Sequence, residues 1–399
     1  MRIGIDGGCL ANRRGFGRFA RQTLKALGRA GRGHEFVVIV DRPSAETVEV
    51  PAGFERVIVE VSEAPSRAAS STGRRSLADM RAMGKAAGRA RLDLMYFPAT
   101  YSYVPVLGVR RVVVTMHDTL ALARPDLVFP TWRGRVAWAL KEHAAAWRAD
   151  RILTVSEAAR GDLLAWFGLP DDRVRVVSEG PDDVFRPVPA GPESDATLRR
   201  YGVEPGTRFW LYVGGLSPHK NLPRLIEAFA RTAPDREGFR LVLVGDTGDV
   251  FHTHVPELRA AVASAGLGDR VVFTGFVPDA DLVTFYNRAE ALVQPSLMEG
   301  FGLPPVEAMA CGTPVVASTA GSLPEVVGEA GVFFDPTDAG AIAACLRRVI
   351  VEPGLRADLA GKALRRAARF TWDASAAATL DCFEELGTAA PVGARRRSA

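Results

Sequence analysis

The sequence predicts an α/β protein with two parallel sheets, each covered by helices and joined by a linker. Three observations carry that prediction. Short apolar, β-branched runs alternate with longer stretches of helical period, which is the trace left by buried parallel strands and their crossover helices. The alternation runs twice, on either side of a proline-rich polar stretch, GPDDVFRPVPAGPESD, that has no usable period. A chain of 399 residues, 47% hydrophobic and 24% charged, suits two or three domains with sizeable cores.

In the first series the strands are RIGIDGG, EFVVIVD, RVIVEV, DLMYFPA, RVVVTMHD, RILTVS and RVRVVSE. Helical periods fall between them at 16–31, 75–91, 132–149 and 157–168. The linker extends from about Gly180 to Pro205. The second series has strands FWLYVGG, RLVLVGD, RVVFTGF, ALVQPS, PVVAS and GVFFD, with helices at 222–233, 254–266, 279–289, 305–311 and 323–327. Further helices close the chain, ending in TWDASAAATLDCFEELG, and the polar tail TAAPVGARRRSA reads as disordered. Two Rossmann-like halves of this kind leave a cleft between them, a common place for a ligand.

Asp6 stands where a signal peptide needs its apolar stretch, and no run approaches the ~18 apolar residues of a membrane span, so the reading is cytoplasmic. Cys9, Cys311, Cys345 and Cys382 are far apart and lack metal-ligand spacing, which reads as reduced core cysteines. Net charge is +4. Residues 1–190 hold 29 Lys and Arg against 21 Asp and Glu, so the first half carries +8 and the remainder −4. A basic first half suits nucleic acid, an anionic membrane surface or a phosphorylated substrate, or simply arginine-rich solvated helix faces.

The chemistry concentrates in SLMEGFGLPPVEAMACGTPVVAS. ALVQPS is a strand, EGFGL the loop at its carboxyl end, and Pro304 and Pro305 suit a first helical turn, where a missing N–H costs nothing. Loop amides and a helix N-terminus together favour phosphate, with Gly300 and Gly302 allowing close backbone approach. Glu299 at the loop entrance and Glu307 one turn into the helix suit hydroxyls instead. Phosphate flanked by two polyols describes a nucleotide sugar. The plainer alternative is that Glu307 complements its helix dipole and Glu299 is solvated.

Three other stretches bear on the site. In LYVGGLSPHKNLPRL a strand turns through Gly214 and Gly215, and Lys220 with His219 stands where an ammonium reaches a diphosphate. In NRRGFGRFARQ, Gly15, Gly17 and Ala20 match the GxGxxA pattern of NAD-binding oxidoreductases. The residues DGGCLANRR, however, separate these glycines from the strand, which places them on a long loop over the cleft, able to lay amides and Arg18 on a ligand. MHDTLALARPDL sets His117 and Asp118 at a strand's carboxyl end, as ligand groups or as a buried structural pair. Phe97, Tyr101 and Tyr103 read as an aromatic platform or a packed loop. The pairs Asp171–Asp172 and Asp182–Asp183 make no metal site, so the chemistry reads as metal-independent.

The second half, from FWLYVGGLSPHKN to GSLPEVVGEAG, closely resembles the donor domain of the family-4 retaining glycosyltransferases of the GT-B fold, whose hallmark is two glutamates with seven residues between them, matched by Glu299 and Glu307. The first half is similar more loosely, through the glycine loop, the HD strand end and TVSEAARGDLL. The resemblance implies a GT-B architecture. Residues 1–185 would bind the acceptor, 186–205 would link, 206–370 would bind the donor, 371–387 would pack back on the first domain, and 388–399 would be disordered. It further implies that Glu307 binds the ribose, and that Glu299 with the amides of Phe301, Gly302 and Leu303 holds the donor sugar. Lys220 would bind the diphosphate, Val277 would lie against the base, and His117 would face the sugar. Gly215 stands where many members have an arginine, with His219 offered as a partial replacement for that charge.

The implied reaction is front-face transfer from a GDP-, UDP- or dTDP-hexose to a hydroxyl of a polysaccharide, lipid-linked or secondary-metabolite acceptor, with no cofactor and no nucleic-acid partner. Peripheral membrane contact through the basic first half is a further expectation, centred on Arg74, Arg75, Arg81, Lys85, Arg89 and Arg91. The alternatives are a sugar-nucleotide epimerase, a phosphorylase or a non-catalytic sugar-nucleotide-binding protein, and the oligomeric state stays open.

Overall fold

A computed structural model of the chain describes residues 1–12, 15–63, 76–129, 131–232, 238–246 and 255–388. They form two compact units. The first takes in residues 1–125, 129–179 and the helix that begins at Trp372; the second takes in 126–128 and 180–371. The tail expected to be disordered, from 389 on, and Arg74 and Arg75 of the basic run lie outside the described residues.

In the first unit seven strands, β1 (Arg2–Asp6), β2 (Glu35–Asp41), β3 (Glu55–Val59), β4 (Leu94–Phe97), β5 (Arg111–Thr115), β6 (Arg151–Thr154) and β7 (Val174–Val176), form one sheet. Its order is β3-β2-β1-β4-β5-β6-β7, and every pairing is parallel. The helices α1 (Gly15–Ala30), α2 (Leu77–Arg89), α3 (Trp132–Arg148) and α4 (Glu157–Phe167) are its main crossovers. A core of Val37, Ile39, Met95, Val112 and Ile152 meets Met83 and Ala87 of α2 and Ala145 and Ala146 of α3.

The second unit repeats the plan with β8 (Phe209–Val213), β9 (Arg240–Val244), β10 (Val271–Gly275), β11 (Ala291–Gln294), β12 (Val315–Ser318) and β13 (Gly331–Phe334), ordered β10-β9-β8-β11-β12-β13 and again all parallel. The predicted fold class therefore holds in both halves, because strands buried on both faces leave continuous apolar runs. One stretch differs from its expectation. The linker contains a helix, α5 (Pro192–Arg200), whose only buried residues are Ser194 and Leu198. Two buried positions in nine residues leave no readable period.

The helices that follow are α6 (Leu222–Thr232), α7 (Val255–Ser264), α8 (Asp279–Arg288), α9 (Leu303–Ala310), α10 (Leu323–Val327), α11 (Ala339–Val351), α12 (Leu355–Ala367) and α13 (Trp372–Thr388). The last belongs to the first unit, where Phe383 packs edge-on against Tyr96 at 5.3 Å and Arg111 Nε donates to the Leu386 carbonyl at 3.1 Å.

In each sheet the chain reverses its direction of growth once, between β1 and β4 and between β8 and β11. At such a switch point the loops leaving the carboxyl ends of the two strands diverge and open a crevice, which is where open α/β sheets bind ligands.

Candidate functional site

At the switch point of the second unit, β8 leads through Gly214 and Gly215 to the short turn Pro218–Lys220, and β11 leads to the Glu299 loop. Three contacts staple the two loops. Leu297 N–H donates to the His219 carbonyl at 2.8 Å, Asn221 Nδ2 donates to the Pro295 carbonyl at 3.1 Å, and Lys220 Nζ meets Glu299 Oε1 at 2.6 Å. Asn221 closes its turn in the left-handed region, at φ 58°, which asparagine tolerates better than most residues.

Glu299 Oε1 also accepts from Gln294 Nε2 at 2.7 Å and from Ser296 Oγ at 2.6 Å. None of these bonds falls on Oε2. Burial pushes this carboxyl up, but the Lys220 charge, a contribution from His219 and the hydrogen bonds of Lys220 and Ser296 outweigh it. The group sits below its ordinary value and is an anion at neutral pH. His219 goes the other way: burial, then the Lys220 charge, lowers it to about 4 against the pull of Glu299. His219 is therefore neutral at pH 7, whereas sequence reasoning had offered it as a partial replacement for the charge of the arginine missing at Gly215. Gly215 itself is fixed by its carbonyl, which accepts from the Tyr212 hydroxyl at 2.6 Å.

Beyond Glu299 the chain turns at Gly302, with φ 101°, into α9. Leu303, Pro304 and Pro305 form the first turn, and because the two prolines have no N–H, Leu303 carries the turn's one amide hydrogen. Ser322 anchors the loop from β12's side, donating from Oγ to the Phe301 carbonyl at 2.8 Å and from N to the Glu299 carbonyl at 3.1 Å. The side chains of Phe301 and Leu303 are buried. Glu307 is only 2% exposed and accepts from the Tyr286 hydroxyl at 2.7 Å. Val277 is buried too, between the exposed Phe276 and Pro278.

The first unit holds the remaining candidates. Gly15 and Gly17 are not on a loop but begin α1, and a Cβ on Gly17 would strike the Asn12 carbonyl, so this glycine is there for close packing. His117 is buried, with Phe16 and Phe19 rings edge-on at 4.9 and 4.7 Å. Its partner is Glu179, Nδ1 to Oε1 at 3.4 Å, and the Pro98 carbonyl lies 3.1 Å from Nε2. The sequence neighbour Asp118 accepts from the Leu120 amide at 2.9 Å. Phe97, Tyr101 and Tyr103 are all buried, which makes them a packed loop rather than a platform.

The structure thus gathers Lys220, Glu299, Gly215 and His219 at one edge, with Phe301, Gly302, Leu303 and Glu307 on the adjoining loop and helix. Sequence reasoning missed Gln294, Ser296, Asn221, Tyr286 and Glu179. Gln294 and Ser296 carried a usable signal: polar residues ending an apolar strand are fully buried here. A cavity of about 400 Å³ in the second unit, lined by Cys311, Gly312, Thr313 and Arg356, lies at the opposite edge of the strands and holds none of these residues. Among the described residues no group of three or more His, Cys, Asp or Glu is placed to hold a metal ion.

Comparison with known proteins identifies the family and the fold. Residues 194–366 match the family described as Glycosyl transferases group 1, and residues 13–185 match Glycosyltransferase Family 4. The chain is 36% identical over 285 residues to a D-inositol 3-phosphate glycosyltransferase of Acidothermus cellulolyticus, covering 68% of this chain and 61% of that protein. It is 32% identical over 281 residues to the O-antigen chain mannosyltransferase B of Escherichia coli, covering 70% and 71%. Among solved structures, sucrose-phosphate synthase from Thermosynechococcus elongatus superposes with a TM-score of 0.76 at 22% identity, over 98% of this chain and 100% of that one. Anabaena HepE, solved with UDP and glucose, gives 0.69 at 20%, over 97% and 99%. At such identities the structural likeness speaks for the fold alone.

Proposed function

Because the chain belongs to glycosyltransferase family 4 and has the GT-B fold, we propose that it is a retaining enzyme that moves a hexosyl group from a nucleoside-diphosphate sugar to an acceptor hydroxyl. The observation that carries the reading is the Lys220–Glu299 pair at the switch edge, beside the N-terminus of α9. An ammonium and helix amides together favour a diphosphate, and an ionised carboxylate with one oxygen saturated by protein donors has the other to offer to sugar hydroxyls.

In the reaction the bond from the anomeric carbon to the β-phosphate oxygen breaks, and the diphosphate leaves with the electron pair. The acceptor oxygen attacks the oxocarbenium-like centre from the same face, and its proton passes to the departing phosphate oxygen. Lys220 and the amides of Phe301, Gly302 and Leu303 stabilise the charge that builds on the diphosphate. Glu299 Oε2 orients the sugar, and Glu307, steadied by Tyr286, binds the ribose. His117 is fixed within the first unit by Glu179 and two aromatic rings. No step uses a metal. The mannosyltransferase and inositol-phosphate names of the relatives make hexosyl donors and polyol or saccharide acceptors the first to test.

A thermal-shift panel of GDP, UDP, dTDP, ADP and NAD on the native chain and on Glu307→Ala tests the pocket. One nucleoside diphosphate should raise the melting temperature, and the variant should lose most of the shift. Stabilisation by NAD alone, or by no nucleotide in a folded protein, would remove the basis for this function. With the donor known, the anomeric configuration of the product, read by NMR, tests retention. Epimerised donor without an acceptor, phosphorolysis, or binding without turnover would favour the alternative activities in turn.

A further inference from the structure

Helix α3 presents an apolar stripe that stands exposed. Trp132, Val136, Leu140 and Trp147 are 68%, 48%, 67% and 74% exposed, and with His143 they succeed one another at spacings of four, four, three and four residues. That is one face of a helix. The opposite face is already used: Glu142, Ala145 and Ala146 are buried against the first unit. Scattered exposed apolar residues are ordinary, but two tryptophans and a leucine in one unbroken stripe are not.

The charges on this helix have one sign. Arg133 and Arg135 are exposed beside the stripe, and the helix's only acid, Glu142, is buried. The surface continues onto neighbouring elements. Lys141 and Arg148 tie α3 to the loop after β4 through the carbonyls of Tyr101 and Val109. That loop ends in Leu107, 86% exposed, with Arg110 exposed close by. On the loop's other side Gly84 and Gly88 let α2 lie directly on the carbonyls of Pro105 and Leu107, and α2 shows Arg81, Lys85 and Arg89 to solvent.

We propose that this surface is a membrane-docking face, on which α3 lies in the plane of an anionic lipid interface with Trp132 and Trp147 inserted at headgroup depth and the arginines on lipid phosphates. A helix with bulky apolar residues on one side and cations beside them is built for that position, and tryptophan is favoured at such interfaces. A second copy of the chain is a poorer occupant. A two-fold contact through this face would bring Arg133 and Arg135 of both copies into one interface with no exposed acid on the helix to meet them. The inference concerns the first unit's surface and stands apart from the donor reaction.

Flotation of the full chain with vesicles of phosphatidylcholine, with and without phosphatidylglycerol, tests it. The native protein should float with the anionic vesicles at about 0.1 M salt and much less at high salt. Arg133→Glu with Arg135→Glu should weaken partitioning by at least about fivefold for each cation removed, and Trp132→Ser with Leu140→Ser and Trp147→Ser should abolish it. Retained thermal shift with the nucleoside diphosphate confirms that each variant is folded and keeps the donor site out of the result. If the triple variant does not fold, brominated phosphatidylglycerol decides: it should quench native tryptophan fluorescence, and less so in Trp132→Phe and Trp147→Phe. Native protein that stays off anionic vesicles, binding indifferent to both sets of substitutions, or a native dimer made monomeric by the triple variant would overturn the proposal.

Discussion

Glu299 Oε1 takes three donors at once, from Lys220, Gln294 and Ser296, and that concentration determines what each loss does. Lys220→Ala leaves a mostly buried carboxylate with two neutral donors, so its proton affinity rises and the fold loses about 2 to 4 kcal/mol. Turnover should fall by about 10²–10³, the cost of losing one donor to developing charge. Pairing Lys220→Ala with Glu299→Gln should recover part of the stability without recovering turnover, because no charge is then stranded. A variant with raised KM and unchanged kcat would instead make Lys220 a ground-state binder. A second carboxyl gives a pH signature. Burial and then the Asp118 charge raise Glu142 to about 7, against the hydrogen bonds of Thr100 and Trp138 and the Lys141 charge. Between about 4.5 and 7 the folded chain keeps a proton that the unfolded chain has lost, so this group's contribution falls as pH rises and above 7 costs about 3 kcal/mol. Glu142→Gln should therefore be more stable than the native chain at pH 8, with the gap shrinking below about 1 kcal/mol at pH 5 in denaturant titrations. An equal gap at both pH values would mean that Glu142 is not titrating in this window. Lys220, Glu299 and Glu307 were legible because a motif carries them. Glu179, 62 positions from His117, and Tyr286, one of two adjacent aromatics on α8, have no local pattern that marks them.

At the scale of elements, the loop after β12 holds the Glu299 loop by close approach rather than by charge. Gly321 has φ 59°, and a Cβ there would lie 2.5 Å from the Glu299 carbonyl oxygen and 2.9 Å from its nitrogen. Gly321→Ala should push the Glu299 loop outward, break the Ser322 bonds to Glu299 and Phe301, and weaken donor binding by at least tenfold with a loss of stability of about 1 to 3 kcal/mol. Calorimetric titration with the nucleoside diphosphate measures the first and thermal melting the second; unchanged affinity would show that the loop is held elsewhere. The elements themselves were readable in proportion to how deeply they are buried. A strand such as Phe209–Val213 is buried at every position, so its apolar run is unbroken. Pro192–Arg200 hides one apolar side chain and left no trace. Gly15 and Gly17 were misread for another reason. A glycine pattern reports a need for small residues, and the Asn12 carbonyl imposes that need at Gly17 from within the packing, whereas nothing lies within 4 Å of a Cβ on Gly15.

Over the whole molecule, two sheets of one plan carry different surfaces: +8 in residues 1–190 and −4 in the rest. The net charge of +4 hides this division. It predicts that the chain's two kinds of ligand leave separate footprints. Hydrogen exchange with and without the nucleoside diphosphate should slow the amides of residues 215–222 and 294–303, where the stapled loops and the start of α9 would close on phosphate, because binding at ~100 Kd adds about 2.7 kcal/mol to every opening that releases the ligand. The exposed stripe of α3 should be unaffected by the nucleotide. Anionic vesicles should produce the reverse pattern, slowing α3 and the loop around Leu107 and leaving 294–303 unchanged. Protection of α3 by nucleotide alone would mean that the stripe belongs to the donor's response rather than to a lipid surface. Protection of 294–303 by vesicles alone would mean that lipid phosphate competes for the Lys220 site, and adding nucleotide to the vesicle-bound chain would then displace it.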